Sequence, residues 1–337
     1  MKALVLQKPG KASIETVPDP LLTPGNVMLN VRMVGFCGSD LNSFRGLNPL
    51  VSYPRILGHE VSATVLENKG QDSRLSAGTD VAVSPYSNCG KCASCLRARP
   101  NACQFNETLG VQRDGALSEF VALPPERLFP ASLTLKELCL VEPLTVGFHA
   151  ASRGRITAND TVAIFGCGGV GLGAVAASSA RGARTISIDV DDEKLDFARL
   201  SFGAIVINSA RESLHKRLAE ITDARGPDVI IEAVGTPETF RAAVEEVAYT
   251  GRVVYIGYAK QPVSYETKLF VQKELDILGS RNAETKDFHE VIRLFEAGKL
   301  PVEQFASLVV GLEEAPEALH SWSENPSGFK KILVSLD

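Results

Sequence analysis

A cluster of cysteines is the feature of this sequence that most directly suggests chemistry. Four of the seven cysteines lie in the stretch CGKCASCLRARPNAC, at Cys89, Cys92, Cys95 and Cys103. Such a cluster serves as disulfide partners, an iron–sulfur cradle, a redox pair or a zinc site. An odd total argues against a disulfide framework, and the spacing before Cys103 does not match the bacterial ferredoxin run. Four thiolates in one loop, with no histidine or acid among them, predict a closed, structural zinc site.

A second candidate site is the glycine-rich turn FGCGGVG. Gly166, Gly168 and Gly171 form the pattern G-x-G-x-x-G directly after an apolar strand and directly before a helix. In that context the first glycine permits a tight turn, the second lets the backbone approach a pyrophosphate, and the third lets helix and strand pack closely. Gly169 and Val170 complete the turn at the helix N-terminus, where phosphates bind. The turn therefore predicts a dinucleotide site.

An acidic residue at the end of the next strand bears on the identity of the dinucleotide. Asp189 lies 23 residues after Gly166. A carboxylate at this place accepts hydrogen bonds from ribose hydroxyls and repels a 2′-phosphate. We therefore predict NAD rather than NADP.

A third set of residues could stabilise charge on a substrate oxygen during hydride transfer. The stretch GFCGSD contains Cys37, Ser39 and Asp40, the stretch GHE contains His59 and Glu60, and VEPLTVGFH adds Glu142. One thiolate, one imidazole and one carboxylate are suitable ligands for a catalytic zinc that keeps a position open for water or substrate. These residues therefore predict a second, catalytic metal site.

The elements that must position these residues change in character near residue 150. Before it, short β-type runs are separated by Pro, Gly and Asn turns, which predicts a small barrel-like β domain. From Asp160 onward six apolar strand runs alternate with helices, which predicts an α/β, doubly wound parallel sheet of six strands. We predict a catalytic domain over residues 1–150, a dinucleotide-binding domain over 151–284, and the return of residues 285–337 to the first domain.

Length, composition and charge exclude several classes of function. The chain has 337 residues, 45% of them hydrophobic, and a formal net charge of −5, so it can bury a substantial core and has no basic excess for nucleic acid. No signal peptide and no apolar stretch long enough to cross a membrane is found. The sequence predicts a cytoplasmic protein with a small-molecule substrate and no nucleic-acid or membrane partner.

The motifs of this sequence, taken in order, resemble those of the zinc-dependent medium-chain alcohol dehydrogenase family. They are CGSD, GHE, the four-cysteine stretch, EPLTVGFHA and GCGGVG. The resemblance covers essentially the whole chain, and it implies a GroES-like β-barrel as the catalytic domain and a Rossmann domain for NAD. Within the family, the Glu60 and Glu-Pro pattern is most similar to the polyol, sugar-acid and threonine dehydrogenase branch. The stretch RGLNPLVSYPRILGHE looks closest to bacterial enzymes that oxidise hexonates such as L-gulonate or L-galactonate at carbon 5.

The resemblance also implies roles for individual residues. Cys37, His59 and Glu60 would be the protein ligands of a catalytic zinc, with Glu142 reaching the metal directly or through its water. The exchange of the two glutamates at the metal remains open. Ser39 would take the alcohol proton, Asp40 would fix the tautomer of His59, and Cys89, Cys92, Cys95 and Cys103 would hold a structural zinc, which makes two zinc ions per chain.

Two positions depart from the family pattern. Asn42 stands where many relatives have a histidine that passes the proton to solvent, so the relay beyond Ser39 is expected to run through ribose hydroxyls and water. Ala63 replaces a glycine of the pattern GHExxG, which affects local packing and not the ligands.

Other readings of the same residues remain. An L-threonine 3-dehydrogenase or a sorbitol- or galactitol-type polyol dehydrogenase would share the metal set, and a zinc-free dinucleotide-binding protein without activity would be expected to lack some of the ligands. The resemblance further implies a homodimer or homotetramer joined through edge strands of the cofactor domain, near GRVVYIGY and LDILGS.

Overall fold

The computed structural model describes residues 1–69, 72–305 and 307–336. The strands are β1 (Lys2–Lys8), β2 (Lys11–Thr16), β3 (Val27–Gly35), β4 (Arg55–Ile56), β5 (Glu60–Asn68), β6 (Asp80–Val83), β7 (Phe120–Leu123), β8 (Leu128–Pro130), β9 (Thr161–Phe165), β10 (Arg184–Asp189), β11 (Ile205–Asn208), β12 (Val229–Glu232), β13 (Arg252–Tyr255), β14 (Asp276–Gly279), β15 (Leu308–Gly311) and β16 (Ile332–Ser335).

The helices are α1 (Gly38–Phe44), α2 (Ala93–Leu96), α3 (Leu135–Arg153), α4 (Gly169–Ala180), α5 (Asp192–Phe202), α6 (Leu214–Thr222), α7 (Pro237–Glu246), α8 (Lys268–Gln272), α9 (Thr285–Glu296), α10 (Val302–Phe305) and α11 (Ala315–Glu324). Within the described ranges, none of them has the length and apolar character needed to cross a membrane.

The chain divides into two compact units. The first comprises Met1–Glu142 and Glu284–Asp337, and the second comprises Pro143–Ala283. The division therefore falls inside α3, eight residues before the position predicted from the change of pattern at residue 150.

The first unit is built around two β-sheets. Its larger sheet has the order β15-β16-β3-β5-β6-β8, with β7 pairing to β3, and a smaller sheet has the order β2-β1-β4. Along β3, Val27, Leu29 and Val31 are buried and alternate with half-buried residues, as expected for a strand with one face on a core. Because β3 lies between β5 and β16, residues from distant parts of the sequence meet at its carboxyl end.

The second unit is a parallel sheet of six strands in the order β11-β10-β9-β12-β13-β14. This confirms the doubly wound sheet predicted from the sequence. Its central strands β9 and β12 are almost entirely buried, as expected where helices cover both faces of such a sheet. The chain order reverses between β9 and β12, and ligands of doubly wound sheets bind at the carboxyl ends of the strands at this point.

Candidate metal centres and dinucleotide site

Three of the residues predicted to hold a catalytic metal lie together in the first unit. β3 ends at Gly35, which pairs with Glu60 at the start of β5, so the turn that carries Cys37 lies beside His59 and Glu60. Ligand atoms of Cys37, His59 and Glu60 lie within 4.8 Å of one another. His59 and Glu60 are buried and Cys37 is half-buried. This donor set fits a zinc ion that retains an open position.

Ser39 and Asp40 lie on opposite sides of the His59 ring. The Ser39 hydroxyl is 3.3 Å from Nε2 of His59, whereas Oδ1 of Asp40 is 3.8 Å from Nδ1. Asp40 is itself fixed, because Oδ2 accepts a hydrogen bond of 2.9 Å from the backbone N–H of Cys37. The carboxylate on the Nδ1 side leaves Nε2 as the nitrogen suited to bind a metal.

Glu60 is held in place by a residue that the sequence analysis missed. The half-buried Lys331 donates to the Glu60 carboxylate and, at 3.1 Å, to the backbone carbonyl of Phe36. A β-carbon at residue 35 would lie 2.2 Å from Oε2 of Glu60, so Gly35 leaves room for this carboxylate. Burial lowers the pKa of Lys331, but the charges of Glu60 and Cys37 and the hydrogen bond to Glu60 together outweigh burial, so the pKa is raised. The only sequence signal was a lysine next to an apolar terminal strand.

Glu142 is not a member of the three-residue ligand group among the described residues. It is buried in α3, and Oε1 accepts a hydrogen bond from the hydroxyl of Tyr86. Burial raises the pKa of Glu142 to about 7, an effect that the charge of His59 opposes. Sequence analysis missed Tyr86, although it lies just before the first cysteine of the four-cysteine stretch. Glu60 is therefore better placed than Glu142 to be the third metal ligand.

The four clustered cysteines converge as expected for a single ion. All seven cysteines, each within the described ranges, are free of disulfide bonds. The sulfur of Cys92 lies 3.5 Å from that of Cys95 and 3.8 Å from that of Cys103, close to the roughly 3.8 Å edge of a tetrahedron with zinc–sulfur bonds of about 2.3 Å. Hydrogen bonds, chiefly from the Ser94 hydroxyl, lower the pKa of Cys92 to about 5, which favours the thiolate. The lobe fits a structural zinc.

In the second unit, the glycine turn has the geometry that a pyrophosphate requires. Gly166 has φ of +91°, a conformation that favours glycine. A β-carbon at Gly171 would lie 1.8 Å from the carbonyl oxygen of Gly166, whereas β-carbons at Gly168 and Gly169 would meet nothing within 4 Å. Gly171 thus allows the close packing, and Gly168 and Gly169 leave open space at the start of α4, where Val170 also lies.

Asp189 lies at the end of β10, beside this turn. Its Oδ2 accepts a hydrogen bond of 2.6 Å from the backbone N–H of Cys167, and its Oδ1 accepts one of 2.7 Å from Val190. The carboxylate is half-buried. Oδ1 also accepts a hydrogen bond of 3.1 Å from the backbone N–H of Asp191. The carboxylate is therefore held by the glycine turn and by its own loop, and the lone pair that it retains for a ribose is on Oδ2.

Two known domain families match most of the residues of this chain. Residues 23–133 match the alcohol dehydrogenase GroES-like domain, and residues 169–297 match the zinc-binding dehydrogenase domain. The first match covers Cys37, His59, Glu60 and the cysteine lobe, and the second begins within the glycine turn.

Characterised relatives align along almost the whole length. The chain is 32% identical to sorbitol dehydrogenase of Bacillus subtilis, over 99% of this chain and 97% of the relative. It is 29% identical to L-galactonate-5-dehydrogenase of Escherichia coli, over 90% of this chain and 89% of the relative.

Solved structures show the same fold. An alcohol dehydrogenase from Escherichia coli CFT073 complexed with NADH superposes with a TM-score of 0.92 at 29% identity, covering 100% of this chain and 99% of that one. A zinc-binding dehydrogenase from Sinorhizobium meliloti bound to NADP superposes with a TM-score of 0.91 at 28% identity, covering 99% and 98%. The chain belongs to the zinc-dependent medium-chain alcohol dehydrogenase family and is an oxidoreductase that acts on CH–OH groups.

Proposed function

We propose that this enzyme oxidises a secondary alcohol of a sugar acid or polyol with NAD⁺, and that a hexonate such as L-galactonate or L-gulonate is its substrate. The observation that carries the proposal is the convergence of Cys37, His59 and Glu60 on one point, in a chain that also has a complete glycine turn. The similarity to L-galactonate-5-dehydrogenase and the stretch RGLNPLVSYPRILGHE favour the hexonate.

The chemistry is a two-electron oxidation. The secondary alcohol loses its hydroxyl proton and a hydride from the same carbon, NAD⁺ becomes NADH, and a ketone is formed. When bound, zinc supplies Lewis acidity that lowers the pKa of the substrate hydroxyl. Cys37, His59 and Glu60 hold that ion, and Lys331 keeps the Glu60 carboxylate in position.

Ser39 is the residue suited to receive the hydroxyl proton. Its hydroxyl lies 3.3 Å from Nε2 of His59, so it is adjacent to the nitrogen that faces the metal position. Asn42 cannot take over the proton as a histidine would, because an amide has no basic nitrogen at neutral pH. The proton is therefore expected to pass from Ser39 to ribose hydroxyls and water.

A polyol is the second candidate substrate. Sorbitol dehydrogenase of Bacillus subtilis is 32% identical to this chain over almost its full length. The same metal ligands serve polyols and sugar acids, so the two substrate classes differ in the pocket and not in the chemistry.

We expect purified enzyme to form NADH rapidly from one hexonate when NAD⁺ is supplied. The assay compares hexonates, pentonates, sorbitol, galactitol, L-threonine and simple alcohols, before and after zinc chelation. Turnover should be lost on chelation, and NADP⁺ should be used about tenfold less efficiently because Asp189 repels the 2′-phosphate.

Each other outcome of this assay corrects a specific part of the proposal. Exclusive turnover of a polyol or of L-threonine would leave the mechanism intact and overturn the hexonate assignment. Chelator-resistant turnover would overturn the role of the metal. A preference for NADP⁺ would overturn the role of Asp189.

We also propose that the enzyme works in the cytoplasm, where its seven cysteines stay out of disulfide bonds. We further propose that it assembles through the exposed edge of the second unit. β14 is the outer strand of its sheet, and Ile277 on it is 41% exposed. An exposed apolar edge strand is a template for pairing with a second copy.

Light scattering is expected to show at least twice the 36.1 kDa chain mass, and Ile277→Lys is expected to lower it to the monomer value. Val309→Lys is the matched control, since Val309 is similarly exposed on β15, an edge strand of the first unit. A wild-type monomer, or dissociation by the control alone, would contradict the proposed seam.

A further inference from the structure

A buried carboxyl group in the second unit has no part in the chemistry described so far. Glu232 is the last residue of β12 and is fully buried. Its Oε1 accepts hydrogen bonds from the backbone N–H groups of Val234, at 2.9 Å, and Gly235, at 2.8 Å, and from the hydroxyl of Thr239, at 2.8 Å. One carboxyl oxygen thus ties the loop after β12 to the first turn of α7.

The backbone of the same residue binds the loop after β13, and its carboxyl group packs against that loop. The backbone carbonyl of Glu232 accepts hydrogen bonds from Ile256, at 2.9 Å, and from Gly257, at 3.1 Å. A β-carbon at Gly257 would lie 2.4 Å from Oε2 of Glu232 and 2.6 Å from the backbone nitrogen of Gly235. The two loops therefore pack backbone against backbone, with Glu232 between them.

This pair of loops contacts the glycine turn. A β-carbon at Gly166 would lie 2.9 Å from Cγ2 of Val234, and the N–H of Ala233 donates to the carbonyl of Phe165 at 2.9 Å. Val234 is 47% exposed, and Tyr258, in the loop after β13, is 80% exposed. The loops thus present apolar side chains to solvent beside the turn that fits a pyrophosphate.

The strand order indicates which part of a dinucleotide would lie there. β10, which ends in Asp189, and β12, which ends in Glu232, are the two neighbours of β9. A dinucleotide with its pyrophosphate on the glycine turn and its adenosine ribose at Asp189 must place its other nucleoside on the β12 side. That side consists of the loops that Glu232 holds.

We propose that Glu232 is a positioning residue for the cofactor, which locks the loops after β12 and β13 into one platform for the nicotinamide nucleoside. The inference rests on the proposed use of NAD. An apolar residue at this place would leave the N–H groups of Val234 and Gly235 without an acceptor in a buried site, and the loops would rearrange to reach water. Burial raises the pKa of Glu232, and a neutral carboxyl still accepts all three hydrogen bonds.

The test is calorimetric titration with two ligands, NAD⁺ and ADP, which share adenosine and pyrophosphate. In Glu232→Leu the Kd for NAD⁺ is expected to rise about tenfold while the Kd for ADP is unchanged, because the loss is confined to hydrogen bonds that order the nicotinamide side. Glu232→Gln is expected to restore wild-type binding, since its amide oxygen accepts the same three donors. Gly257→Ala is expected to reproduce the selective loss, because its β-carbon displaces Glu232 and Gly235.

Asp160→Leu is the matched control. Asp160 is also a buried carboxylate next to this sheet, but it lies before β9, at the amino end of the strands, where it accepts hydrogen bonds from Thr157 and pairs with Arg252. The Asp160→Leu variant is expected to have a lower free energy of unfolding, with an unchanged ratio of the Kd for NAD⁺ to the Kd for ADP.

The inference fails if Glu232→Leu weakens ADP and NAD⁺ equally, if it weakens neither, or if Asp160→Leu produces the same selectivity. If Glu232→Leu does not fold, Gly257→Ala takes its place, and the inference fails if that variant weakens ADP and NAD⁺ equally or weakens neither. Failure of wild-type enzyme to bind NAD⁺ would instead overturn the proposed cofactor.

Discussion

Replacing Cys37 or His59 by alanine is expected to abolish turnover while NAD⁺ binding persists. Each residue supplies one of the three donor atoms that lie within 4.8 Å of one another, so either change leaves two protein ligands. Lewis-acid assistance contributes several kcal/mol to the transition state, and each 1.36 kcal/mol is a factor of ten in rate, so kcat should fall by at least ~10³-fold. NADH formation measures the rate, and titration with NAD⁺ measures the retained binding.

Metal analysis separates this result from misfolding. Both variants should hold one zinc ion per chain, and wild type should hold two. Cys139→Ala is the matched control, because Cys139 is a buried cysteine outside the ligand group, and its sulfur donates to the backbone carbonyl of Glu60 at 3.3 Å. It is expected to keep both zinc ions and most of the activity. Full activity in Cys37→Ala or His59→Ala would remove the catalytic-metal assignment.

Replacing Cys92 by serine is expected to release the other zinc ion and to lower the melting temperature. The lobe around Cys92 has little regular structure, since α2 has four residues and the 3-10 turn Pro100–Ala102 has three. Structural zinc contributes about 10–16 kcal/mol to the folding of small zinc-finger peptides. A loss of even a few kcal/mol lowers the melting temperature by about 10 °C in a domain of this size. Calorimetry and zinc analysis measure the two effects.

Ser94→Ala provides the comparison for this prediction. The Ser94 hydroxyl lies 3.1 Å from the sulfur of Cys92 but is not a metal ligand in the proposed site. This variant should keep two zinc ions and melt near the wild-type temperature. Two zinc ions in Cys92→Ser, or an unchanged melting temperature, would show that the lobe does not depend on a metal.

The features that the sequence predicted are those that depend on short stretches of the chain. Each of them depends on the spacing of residue types within a short segment. They are the glycine turn, the four-cysteine lobe and each strand of the parallel sheet. Local spacing sets backbone conformation and strand period directly. The doubly wound sheet was predicted correctly from the alternation of strands and helices, and the family from the order of the motifs along the chain.

The partners of the glutamates depend on the tertiary structure. Lys331 and Glu60 are 271 residues apart and meet because β16 and β5 both pair with β3, and Tyr86 meets Glu142 across 56 residues. From sequence, Glu60 and Glu142 were both candidates for the metal. The structure places Glu60 with Cys37 and His59 and places Glu142 with Tyr86.

Glu232 shows the same limit in the second unit. In sequence it is one acid at the end of an apolar strand, and only the packing of two loops around it reveals what its oxygens bind. The sequence by itself predicted the candidate metal ligands, the glycine turn and the strands that hold them. Side-chain direction, burial and the register between distant strands decided their partners, because those quantities arise only when segments far apart in the chain pack together.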